Sequence, residues 1–289
     1  MDWLWLALLS ASSLAVADAV SKFGLRDIPI QSLVVMRFAL AAIGITPLAA
    51  MQTWIAPPPE FWFRYALLLP MEIAAAWLYL HALRASPMSL ALPMLAFTPA
   101  LLVPSAWLLL GERPGTGGVA GIALIVAGAY LLGLKAGATS IRWWQPFSAL
   151  GRETGVRYML LTAVLYAMTT PVAKAAMAQV TPLQFAALYF WGLTAVSLVV
   201  FRSRNHARPM ESRHIPGLLL LAVTMTTMIA AHFMALAMAP AAYMIAVKRT
   251  SLLFGILMGV LWFGEGQGRR RIAAGALMVF GVLAIAVFA

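Results

Sequence analysis

Cysteine is absent from the 289-residue sequence, so no disulfide framework, thiolate nucleophile or Cys-based metal site can be built from it. Charge is scarce as well. Asp, Glu, Lys and Arg make up 10% of the residues, where a soluble domain has roughly a quarter. The stretches 114–134, 175–201, 215–247 and 272–289 contain none of the four. Also missing is the polar–apolar alternation that a membrane β-barrel requires. No segment between the apolar runs is long enough to fold as a soluble domain. Neither HExxH, nor a carboxylate cluster, nor a nucleophile–base signature occurs, which argues against a membrane enzyme acting on lipid-linked substrates.

What remains is apolar. Hydrophobic residues make up 63% of the chain, and the mean hydropathy is +0.90. A spanning helix needs about 20 mostly apolar residues, because its backbone polar groups find no water in the bilayer core. The sequence therefore predicts an all-α integral membrane protein with the lipid bilayer as a partner. The formal charge of +11 would point to nucleic acid in a soluble protein. Here the basic residues sit between apolar runs, so topology explains them and no nucleic-acid partner is expected.

Ten transmembrane helices are predicted, over 3–24, 31–51, 61–83, 87–110, 116–134, 155–178, 183–201, 214–237, 240–263 and 270–288. Pro29, Pro57-Pro58-Pro59, Pro87, Pro114-Gly115, Pro182, Pro209 and Pro240 punctuate them. Ala15-Val16-Ala17 resembles a signal-peptidase site, but no Lys or Arg precedes the run, so the first segment is read as a retained helix.

The chain repeats itself at an offset of 153 residues. Pro87–Glu112 falls on Pro240–Glu265, both closing in Gly-Glu, and ALRASP (82–87) falls on ALAMAP (235–240). Pro29 falls on Pro182, Gln31 on Gln184 and Gly128 on Gly281. A single register held without gaps indicates duplication. Residues 1–134 and 155–289 are thus expected to be two five-helix repeats, joined by 135–154, whose Trp143-Trp144 suits a membrane interface. Five is odd, so the second copy enters the membrane inverted, a plan that places a transporter's substrate site near the midplane. Thirteen Lys and Arg fall in alternate connections (Arg26, Arg84, Lys135, Arg142, Arg152, Arg157, Arg202, Arg204, Arg208, Arg213 and Arg269 to Arg271) against Arg64 and Arg113 in the others. That bias puts both termini outside the cytoplasm.

Ionisable groups at membrane depth are costly unless paired or wetted, so each one is a functional candidate. Lys248 and Arg249 stand side by side within the ninth span where the first repeat has Leu95 and Ala96. They serve either as an anchor for a carboxylate or phosphate or as a structural salt bridge. Glu72, opposite Met225 in the repeat, either carries a coupling proton, binds a substrate amine or neutralises one of those cations. Asp18, a second coupling candidate, lies four residues before Lys22, where the two could pair along one helix face. Lys22 and Lys174 lie near helix ends and can snorkel to the interface. Arg37 is deep enough to need a partner. His81 and His232 are either satisfied core residues or contacts to substrate or proton, and no ligand spacing supports a metal site. Trp77, Tyr79, Trp107, Tyr166, Tyr189 to Trp191 and Tyr243 are candidate cavity aromatics, Met225, Met228, Met234, Met238 and Met244 an adaptable wall. Gly117, Gly118, Gly121 and Gly128 fit close helix packing.

These features resemble the drug/metabolite transporter superfamily, and within it the EamA-type ten-helix transporters. The residues that carry the resemblance are LLLGERP (108–114), LWFGE (261–265) and the Arg of VVMRFALAA (34–42). The resemblance implies a central cavity between the repeats, alternating access by rocking helix pairs, and a bacterial inner-membrane location. It implies no cofactor and no enzymatic activity. The Lys248-Arg249 pair departs from the general pattern and speaks against simple cation export. The expectation is a secondary transporter exporting a small organic metabolite with an anionic group, such as an amino acid or related compound, with protons as a coupling ion. The alternatives are export of organic cations or drugs, and lipid flipping.

Overall fold

A computed structural model describes residues 2–86, 88–133, 152–202, 211–254 and 269–288, and among these every regular element is helical. The first half holds α1 (Asp2–Ala19), α2 (Ile30–Ala50), α3 (Pro59–Ala85), α4 (Met88–Leu95), α5 (Thr98–Leu110) and α6 (Thr116–Gly133). The second holds α7 (Thr154–Met177), α8 (Pro182–Val200), α9 (Ile215–Met238), α10 (Ala241–Lys248) and α11 (Arg269–Phe288). Seven helical segments are long and apolar enough to cross a membrane, and the apolar stretches Thr116–Leu131 and Ala273–Phe288 are shorter. The connection with Trp143-Trp144, the end of the ninth predicted span and the second Gly-Glu (Gly264-Glu265) lie outside the described residues.

The outer surface is as apolar as the interior. Trp5, Phe63, Leu108, Val199, Leu219, Val223 and Phe280 are all exposed, a liability in water and the expected lipid-facing surface in a bilayer. Within the bundle α1 packs on α9, α3 on α7, α2 on α8 and α6 on α11.

The α6–α11 contact shows why glycine is needed. A Cβ on Gly121 would meet the Gly281 carbonyl at 2.8 Å, and one on Gly281 would meet the Gly121 carbonyl at 2.7 Å. A Cβ on Gly128 would meet the Ala274 carbonyl at 2.7 Å. The backbones approach too closely for any side chain, as the Gly121 and Gly128 spacing predicts.

The fourth predicted span is not one helix. α4 stops at Leu95, and α5 starts at Thr98 after a turn. Pro99 lacks an N–H and cannot bond the Leu95 carbonyl. The Thr98 hydroxyl donates to that carbonyl instead, at 2.6 Å. α10 stops in the same way at Lys248, where the Thr250 hydroxyl donates to the Val247 carbonyl at 2.7 Å. Shifting α4 (88–95) by 153 residues gives 241–248, the bounds of α10.

Two other contacts tie helices to connections elsewhere in the chain. Gln184, in the first turn of α8, accepts from the Ile55 N–H at 3.0 Å and donates to the Ile55 carbonyl at 2.6 Å. It thereby pins the connection between α2 and α3 as a neighbouring strand would. Arg84 donates to the Leu25 and Ile28 carbonyls at 3.3 and 2.7 Å, holding the end of α3 to the turn between α1 and α2.

Candidate functional site

A cavity of about 150 Å³ opens in the middle of the bundle between α2, α3, α7, α8, α9 and α10. Of the residues singled out from the sequence, Glu72, Tyr79, Tyr166, His232, Lys248 and Arg249 line it. So do Arg37, Thr169, Thr170 and Tyr189, with an apolar wall that includes Phe38, Phe190, Met225, Met228 and Phe233. A second cavity, of about 20 Å³, is lined by Asp18, Leu92 and Ser251, and shares Tyr79, Leu95 and Arg249 with the first.

Lys248 and Arg249 are 9% and 4% exposed. Both stand at the C-terminal end of α10, where the helix dipole favours a positive charge. Lys248 Nζ lies 3.1 Å from His232 Nδ1 and 3.4 Å from Met228 Sδ. Nε of Arg249 has no hydrogen-bond partner. Among the described residues neither cation has a carboxylate within salt-bridge distance.

The other buried cations differ. Arg37 Nη1 is 3.2 Å from Asp18 Oδ1 and donates to Ser21 Oγ at 2.9 Å. The Tyr79 hydroxyl donates to the other Asp18 oxygen. Asp18 therefore pairs across to α2 and not with Lys22 along its own helix. α1 ends in a π-turn over Val20–Gly24, a wider turn that takes Lys22 off the position four residues on from Asp18. Lys22 Nζ instead lies 6.0 Å from the centroid of the Phe23 ring.

Lys174 does not snorkel freely. Its Nζ donates to Glu112 Oε1 at 2.6 Å and to the Ala239 carbonyl at 2.5 Å. Glu112 Oε2 accepts from the Ala241 N–H at 2.7 Å. One carboxylate, that of the first Gly-Glu, thus joins the end of α5, the end of α7 and the corner between α9 and α10.

Trp77, His81 and Tyr243 are not among the cavity-lining residues. His81 Nδ1 lies 2.9 Å from the Trp77 carbonyl, with the two rings 3.9 Å apart. The Tyr243 hydroxyl accepts from the Gly115 N–H at 2.9 Å and fills the space that a side chain on Gly118 would need. Tyr189 is one of the candidate aromatics that the cavity takes, whereas nothing in the sequence marks Thr169 and Thr170. A hydroxyl in an apolar span gives no signal of its own, and only the packing of α7 and α8 against α3 brings these residues to Glu72. No group of three or more His, Asp or Glu side chains comes together among the described residues.

A bundle of apolar helices with buried charges around a central cavity defines a polytopic membrane protein. The sequence profile of the EamA-like transporter family matches residues 1–134 and again 153–287. The chain belongs to that family, and so to the drug/metabolite transporter superfamily. A solved structure titled only "Crystal structure of protein" superposes with a TM-score of 0.74 at 17% identity, covering 99% of this chain and 95% of that one. That similarity establishes the fold. No curated protein matches the chain.

Proposed function

We propose that the protein is a secondary active transporter that exports a small organic metabolite through alternating access, and that Lys248 and Arg249 hold an anionic group of the substrate. One observation carries this reading. Arg37 and Lys174 have carboxylate partners at 3.2 and 2.6 Å, while Lys248 and Arg249 line the cavity with none among the described residues. A structural tie would look like the first two. At an effective dielectric near 20, a unit charge pair at about 4 Å is worth about 4 kcal/mol. That attraction is open to a ligand that brings the missing anion.

Two further features support an inverted repeat of ten helices, 1–134 and 155–289, as the frame. The pairing of α1 with α9 maps onto that of α7 with α3 when each residue moves by 153 positions, and α2–α8 and α6–α11 map onto themselves. The Gly121–Gly281 approach maps onto the Gly128–Ala274 approach in the same way. With odd-numbered repeats inverted, the Lys and Arg bias puts both termini outside the cytoplasm of a bacterial inner membrane. Protons are the proposed coupling ion, and family membership favours a transporter over an enzyme.

Uptake by purified protein in liposomes, with and without a pH gradient, tests the reading. Amino acids, phosphorylated metabolites and organic cations are screened beside Lys248→Ala and Arg249→Ala. Transport of an anionic or zwitterionic compound that both substitutions reduce at least tenfold is the expected result. Transport of cations only, unchanged by either substitution, would make the pair structural.

A further inference from the structure

The cavity contains a third charge without a counterion. Glu72 lines the same space from α3, where its carboxyl accepts from the Thr169 hydroxyl at 3.4 Å, longer than a normal O–H···O bond, with the Tyr189 hydroxyl beside it. Among the described residues it has no Lys or Arg within salt-bridge distance, whereas Asp18 and Glu112 each have one. The cavity therefore presents an unpaired carboxylate on one helix and two unpaired cations at the end of another. Opposite charges in a medium of low dielectric attract strongly, yet the fold leaves a gap between them, and the gap is open space.

We propose that the gap is filled by a compact zwitterion, whose anionic group sits at Lys248 and Arg249 and whose cationic group sits at Glu72. This rests on the reading of Lys248 and Arg249 as an anion anchor. A ligand with only an anionic group leaves Glu72 uncompensated and is repelled by it. A ligand with only a cationic group leaves the two cations of α10 uncompensated and is repelled by them. A molecule carrying both signs completes both ends at once and is held in one orientation. Because both ends are desolvated on binding, selectivity comes from the penalty for a missing group as much as from the contact itself. Size narrows the class further. About 150 Å³ is the volume of a cavity that takes up a benzene-sized molecule, so the ligand has on the order of ten non-hydrogen atoms. Phe38, Phe190 and Phe233 give the wall between the charged ends an apolar character, suited to a hydrocarbon skeleton.

The test uses sets of molecules with one skeleton and different charge. Leucine, 4-methylpentanoate and 3-methylbutylamine form an aliphatic set. Phenylalanine, 3-phenylpropanoate and 2-phenylethylamine form an aromatic one, and glycerol 3-phosphate serves as an anion without a cationic end. Binding is read from thermal stabilisation of the purified protein and from competition in liposome counterflow. In at least one set the zwitterion is expected to bind at least tenfold more tightly than its acid and its amine. Glu72→Gln is expected to cut the preference for zwitterion over acid to threefold or less while leaving the acid bound, and Lys248→Met to remove both.

If an acid or glycerol 3-phosphate binds as tightly as any zwitterion and depends on Lys248, the zwitterion is wrong and the anion anchor stands. The same conclusion follows if Glu72→Gln leaves the preference intact. If only amines bind, or if binding ignores Lys248 and Arg249, both readings fall. Failure of every zwitterion to bind folded protein overturns the inference as well. Melting without ligand shows whether the near-isosteric Glu72→Gln variant is folded.

Discussion

α4 and α10 occupy matching positions in the two halves, have the same length and break off at the same residue, yet they end in different chemistry. α4 closes in Leu95-Ala96, with prolines at 93 and 99 to force the stop, and α10 closes in Lys248-Arg249 with no proline nearby. The break therefore belongs to the architecture, and the charge does not. One half supplies an apolar stub of helix to the cavity wall, and the other supplies its two free cations. The comparison separates the helix break that both halves share from the charge that one half adds to it.

The strongest way to break that comparison is to exchange the ends. Lys248→Leu with Arg249→Ala gives α10 the ending of α4, and transport is expected to fall at least a hundredfold in liposome uptake while the protein still purifies as a folded species. Loss of folding would instead make the cations structural. The carboxylates give the next largest contrast. Asp18→Asn strips the partner from Arg37, and a buried charge left alone costs about 3–5 kcal/mol, a large drop in the melting temperature of the purified protein. Glu72→Gln removes a charge with no counterion and is expected to melt at or above the wild-type temperature.

The glycine seam sharpens the symmetry at smaller cost. Gly121→Ala and Gly128→Ala each push a methyl into a carbonyl at 2.8 and 2.7 Å, and each is expected to destabilise by about 1–3 kcal/mol, with the two melting shifts close to each other. Smallest is the pair of helix-end hydroxyls. Thr98→Val removes the hydrogen bond to the Leu95 carbonyl and is expected to cost about 0.5–1.5 kcal/mol. Thr250→Val costs less, because the Thr250 N–H still donates to Val247 at 3.0 Å.

Helix positions were readable from the sequence because apolar runs and prolines mark them locally. The predicted 183–201 and 214–237 lie within one residue of Pro182–Val200 and Ile215–Met238. The proposed repeat rests on one offset that carries Gly128 onto Gly281 and Gly-Glu onto Gly-Glu in the sequence. Partners were not readable. Asp18 seemed placed for Lys22 by spacing, but spacing along one helix says nothing about Arg37 on the next. Lys174 was read as a free interfacial lysine because Glu112 lies 62 residues away. The cavity charges were visible as anomalies, but that Trp77 and His81 stack on each other away from the cavity depends on the rotation of α3 about its axis. A helix apolar on all sides does not encode that rotation in any periodicity.

The Glu112 carboxylate also bears on how force travels through the molecule. It grips Lys174 with one oxygen and the first N–H of α10 with the other. α10 is eight residues long, a stiff rod of about 12 Å, with Lys248 and Arg249 mounted on its far tip. A rod that short transmits displacement without bending. A displacement of the clasp at Ala241 is therefore passed along α10 to the cation pair, and on the proposed function a ligand held there would load the clasp through the same strut.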